Sequence, residues 1–256
     1  MQLDLPKPML GEISALTITS PDLETSLQYY QKLGFKEVMR MDFPFPWIQI
    51  TDDALLIMLR KDNNPYLALT YYIKEIEKVV AEVENKEIEF ISRPKPSDFV
   101  KRYLFKSPDG LNVSLVGIPD GFSKPAGRTM LNMDQSDYFK PETYTNKTIG
   151  MFGELAHPVL NLDASIQFWE KMGFKVLSKF TSPYLWAILS DGLSIIGLHQ
   201  TTQYPYPAPT FFAADMKDKI ENLKKQGLEN YQETGPSNIV LTTPEQQHIF
   251  LFKLGM

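Results

Sequence analysis

The chain repeats itself, and the repetition limits its fold more than any other feature of its 256 residues. Set SLQYYQKLGFK, from Ser26, above SIQFWEKMGFK, from Ser165, and Ser, Gln, Lys, Gly, Phe and Lys coincide at an offset of 165 − 26 = 139. The same offset pairs Leu16 with Leu155, Leu23 with Leu162, Pro44 with Pro183, Trp47 with Trp186, Asp52 with Asp191 and Leu59 with Leu198, without a gap. Further on the register slips by a few residues, as loop insertions produce, and SPDGLNVSLVGI answers TPEQQHIFLFKL. A tandem duplication of one module is the reading that accounts for this.

Within the first copy the hydrophobic period changes from segment to segment. EISALTIT is a short β-rich run, and Leu23, Leu27, Tyr30 and Leu33 then recur at helical spacing. Ser20 and Asp22 are candidate caps and Gly34 sits where that helix ends. KEVMRMD, WIQITD and ALLIMLR read as three strands. The scheme restarts with LALTYYI as a strand, KEIEKVVAEVENKE as an amphipathic helix, and RYLFKS and LNVSLVGI as strands around the turn Pro108, Asp109, Gly110. FFAADM, KDKIENLKKQG, SNIVLTT and HIFLFKL take these parts in the second copy. The predicted class is α+β, with each copy two βαβββ units, helices on one face of a curved mixed sheet, and an open concave face needing a ligand or partner to cover it. The predicted domains are 1–118 and 151–256. The segment 119–150 between them, rich in Pro, Gly, Ser, Thr and Asn, is either a flexible tether or a strap pinned over a site mouth by Tyr138, Phe139 and Tyr144.

Composition narrows the function. A formal charge of −5, with no run of Lys and Arg to track a phosphate backbone, argues against a nucleic-acid partner. No stretch approaches the roughly 20 apolar residues of a membrane span, and the opening MQLDLPKPMLGEISALTI does not read as a secretory signal. The expected place is the cytoplasm. Cysteine is absent and histidine limited to His157, His199 and His248, so thiolate chemistry is excluded and metal ligands are scarce.

The segments ISALTITSPDLETSLQYYQKLGF with PDGLNVSLV, and GELAHPVLNLDASIQFWEKMGF with TPEQQHIFLF, resemble the opening and closing motifs of the vicinal oxygen chelate superfamily of glyoxalases, bleomycin-resistance proteins and extradiol dioxygenases. The resemblance covers both copies and implies paired modules whose sheets form an incomplete barrel around a ligand or metal. It also implies a metal held from the first strand, the strand opening the second half, and the closing strand. Those positions fall on Ala15 and Glu154, at or next to Ala68 and Ala208, and on Ser114 and Phe250. Of these six only Glu154 can ligate a divalent ion, so the expectation is that the chain carries no metal cofactor.

His248 lies two residues before Phe250, on the same strand face, and is either a partner for Glu154 in acid–base work or a partly exposed strand residue. His157 is expected on the opposite face, in the core. His199 and Arg60, equivalent by the repeat, are expected at solvated strand ends. Trp47 and Trp186 are either core or the flat walls of a ligand cleft, with Gln49 a further polar contact and Phe250 part of the lining. The leading expectation is a protein that binds a small apolar or aromatic molecule, with an acidic chain suiting a cationic guest. The alternative is a glyoxalase-like lyase or isomerase, or a dioxygenase-like enzyme, using Glu154. The fused copies favour a monomer over a homodimer.

Overall fold

The computed structural model describes residues 5–118 and 122–255. The first copy runs β1 (Ile13–Ser20), α1 (Leu23–Lys32), β2 (Lys36–Met41), β3 (Trp47–Thr51), β4 (Leu56–Lys61), β5 (Leu67–Ile73), α2 (Ile76–Glu84), β6 (Arg102–Lys106) and β7 (Asn112–Gly117). The second runs β8 (Met151–Pro158), α3 (Leu162–Lys171), β9 (Lys175–Phe180), β10 (Trp186–Ser190), β11 (Ile195–His199), β12 (Ala208–Ala213), α4 (Met216–Lys225), β13 (Tyr231–Gly235), β14 (Asn238–Thr242) and β15 (His248–Lys253). They build two curved, unclosed mixed sheets, ordered β2-β3-β4-β1-β5-β7-β6 and β13-β14-β15-β12-β8-β11-β10-β9.

The second copy is βαβββ twice over, but the first has one strand fewer in its second unit. Where β13 would have its counterpart stands SRPKPSDFV, whose prolines cannot donate to a ladder, and only a Ser92–Leu104 bridge forms there.

Of the two predicted caps of α1, Asp22 is the one used. Asp22 caps α1 by accepting from Thr25 N at 2.8 Å, and Asn161 caps α3 from Ala164 N at 3.0 Å. Ser20 does not cap; its hydroxyl pairs with that of Ser26. Gly34 and Gly173 close their helices at φ +89° and +87°, where other residues would be strained. Leu27, Tyr30 and Leu33 bury the helix stripe.

One apolar core joins the helix-covered faces of both sheets, with Phe35 meeting Phe211 and Phe105 meeting Phe168. The equivalent aspartates serve it alike. Oδ1 of Asp52 accepts from the amides of Ala54 and Leu55, and Oδ1 of Asp191 from those of Leu193 and Ser194. Their second oxygens are held across the interface, Asp52 by Asn146 Nδ2 at 3.1 Å and Asp191 by the Tyr71 hydroxyl at 2.6 Å. His157 is in this core as expected, and burial holds it down to about 4.

The described part of the connecting segment is no loose tether. Tyr144 is buried, donating to Tyr138 O and accepting from Ala214 N, while Phe139 stays exposed. Its Phe122 packs against Trp47 and Tyr72 in the first sheet's concave face.

Candidate functional site

Each concave face carries its own small apolar cluster, separate from the shared core. In the second copy Glu154 projects from β8 into this face and is 4% exposed. Its Oε1 lies 2.9 Å from His199 Nε2, on the neighbouring β11, and His199 Nδ1 lies 3.2 Å from the Tyr184 hydroxyl. A carboxylate only accepts, so Nε2 carries a proton and donates to Oε1, while Nδ1 shares a hydrogen bond with the Tyr184 hydroxyl. Oε2 of Glu154 is buried with no hydrogen-bond partner. This arrangement exists because β11 has glycine at 197: a Cβ there would stand 2.0 Å from Glu154 Oε2 and 2.6 Å from His199 Nε2.

His199 is thus a buried member of the site, and the expectation of a solvated strand end is wrong for it. Residue 199 shares a strand face with Gly197, but the parallel pairing of β11 with β8 that brings it to Glu154 is seen only in the fold. His248 does not take that part. It stacks on Tyr206 with ring centroids 3.6 Å apart, and burial lowers its pKa. Trp186 stacks between Phe180, at 4.1 Å, and His199, at 5.4 Å. Phe250 is buried against Tyr204 and Phe252. The residue beside both Glu154 and Phe250 in the ladder is Thr210, and its first-copy counterpart between Ala15 and Ser114 is Thr70. The middle position of each set therefore lies two residues beyond Ala208 and Ala68.

The first cleft is built differently on the same plan. A cavity of about 530 Å³ opens there, walled by Trp47, Tyr72, Phe122, Phe45, Tyr66 and Met58. Trp47 is 6% exposed and faces it. Gln49 does not line the cavity: it is 1% exposed, lies opposite Met39 and Met58 in the ladders, and its amide finds no partner. Arg60 does line it. The expectation of a solvated end fails here too, because the guanidinium lies over the rings of Phe45 and Tyr66 and its Nε is buried.

No family model matches the sequence, and no curated protein matches it. Solved structures do match in fold. The homoprotocatechuate 2,3-dioxygenase of Arthrobacter globiformis superposes with a TM-score of 0.61 at 13% identity, covering 99% of this chain and 82% of that one. The 2,3-dioxygenase LapB of Pseudomonas sp. KL28 gives 0.58 at 15%, covering 100% and 94%. A Mn(II)-bound glyoxalase from Novosphingobium aromaticivorans gives 0.59 at 16%, covering 95% and 82%. The chain has the vicinal oxygen chelate fold.

These neighbours correct the expectation of no metal cofactor, since a protein of this fold is Mn(II)-bound. In this chain Glu154 Oε2 is the open donor for such a site, while both nitrogens of His199 are engaged, Nε2 by Glu154 and Nδ1 by Tyr184. Among the described residues no group of three or more His, Cys, Asp and Glu could hold an ion, so a bound one would draw further donors from water or ligand. Among the described residues no helix is long and apolar enough to cross a membrane.

Proposed function

We propose that the chain binds a small, flat organic molecule in the cleft of its first copy, as a glyoxalase/bleomycin-resistance-like binding protein. The supporting observation is the 530 Å³ cavity walled by Trp47, Tyr72 and Phe122. Its size lies within the range of small-molecule sites, and aromatic faces give a planar guest stacking area. Filling the space tests it. Val116→Trp, at a lining position, should abolish the fluorescence enhancement of N-phenyl-1-naphthylamine by the protein while the fold is kept by circular dichroism. Enhancement unchanged in the variant would refute the reading.

A second reading is a glyoxalase-like lyase or isomerase, or a dioxygenase-like enzyme, centred on Glu154. The buried, unpartnered Oε2 favours it. That oxygen is free to take a proton from a bound carbon acid, while the His199 N–H fixes Oε1. A divalent ion bound there would polarise a substrate oxygen. Turnover of methylglyoxal hemithioacetal or of a catechol, assayed with and without Mn(II), should vanish in Glu154→Gln; turnover that survives removes Glu154 from the chemistry.

A further inference from the structure

The acidic chain suggested a cationic guest, but the first cleft has the opposite local charge. Arg60 reaches it from β4 and Arg102 from β6, with Arg93 also in the lining. Among the described residues Asp98 is the one carboxylate in the lining, and it accepts from Lys95 N. Asp62 binds Arg60 Nη2 at 3.1 Å, leaving Nε buried without a hydrogen-bond partner. The Arg60 side chain is 15% exposed, so water does little to relieve it. Burial, and then the like charge of Arg102, push its pKa below the ordinary value. Two guanidiniums on opposite arms of one sheet, with a donor left over, form an arrangement that an anion would satisfy. Tyr66 and Ser114 line the same cavity and offer hydroxyls.

Resting on the reading of this cleft as the binding site, we propose that its guest is an aromatic anion, its ring system among Trp47, Tyr72 and Phe122 and its carboxylate or sulfonate held between Arg60 and Arg102. The repeat supports a specialised role for this arginine, because the second copy has His199 in its place and uses that residue to hold Glu154.

Two fluorescent probes that differ by one sulfonate separate this inference from the reading beneath it: 8-anilinonaphthalene-1-sulfonate and the neutral N-phenyl-1-naphthylamine. The intact chain should bind the sulfonate roughly tenfold or more tightly, the equivalent of one charge-assisted contact. Arg60→Gln and Arg102→Gln should each remove that preference and leave neutral-probe affinity within about twofold, which also reports that the variants are folded. Arg102→Lys should keep part of the preference. Equal affinity for both probes, or a preference untouched by both glutamine variants, would overturn the anion inference while the cleft stands as the site. Failure of both probes to bind, or binding insensitive to Val116→Trp, would overturn the cleft reading itself.

Discussion

At equivalent points the first cleft has Ala15, Met58 and Arg60, and the second has Glu154, Gly197 and His199. The substitutions are coupled by volume. A carboxylate on β8 needs the room that Gly197 leaves, whereas in the first copy Ala15 and Met58 belong to one apolar cluster. Charge follows. The imidazole is spent on Glu154, while the guanidinium, with alanine at that place, faces an open cavity. Duplication has thus given one copy a tight polar pair and the other a roomy, positively charged pocket.

The largest expected effect tests the coupling. Gly197→Ala puts a methyl group against Glu154 and should destabilise by about 3 kcal/mol, the upper range for overpacking. Restoring the first copy's combination, Glu154→Ala with Gly197→Met, should cost less than the two single changes summed, read from denaturant melts. Strict additivity would break the comparison.

Next comes pH. The first copy has Ile18 where the second buries His157, whose pKa is lowered from 6.5 to about 4. The unfolded chain takes up this proton first, so the stability this residue contributes is complete above pH 6.5 and declines as pH falls towards 4. The loss should be on the order of 2–3 kcal/mol, and a His157→Phe variant should show a shallower slope in urea melts between pH 7 and pH 4.

A smaller effect distinguishes the aspartate anchors. Tyr71→Phe removes the hydroxyl that holds Asp191 Oδ2 and should cost about 1–2 kcal/mol at pH 7. Smallest of all are the matched ion pairs between first helix and second strand, Arg40–Glu24 and Lys179–Asp163. Both are solvent-exposed, and Arg40→Ala and Lys179→Ala should leave the melting midpoint unchanged within error.

Much of this was legible in the sequence because it depends on local pattern. The offset of 139, the alternation of strand and helix and the Asp22 cap follow from spacing along one chain, while the position of Glu154 was what the family resemblance implied. What was missed depends on contacts across strands. The pairing of Thr210 with Glu154 and of Thr70 with Ala15 is set by inter-strand register, which counting along one strand does not show, so the middle positions were placed two residues early, at Ala208 and Ala68. His199 and Arg60 close apolar strands and look like solvated ends, yet neighbouring loops cover them with Tyr204 and Tyr66. Net charge also misled, since −5 summed over a surface says nothing of three arginines lining one cavity.

A crystal structure of the chain grown with 8-anilinonaphthalene-1-sulfonate tests the division of roles most directly. The account predicts the naphthalene ring between Trp47 and Tyr72 with the sulfonate within hydrogen-bond reach of Arg60 and Arg102. The probe lying instead beside Glu154 and Trp186, with the first cleft closed, would contradict it.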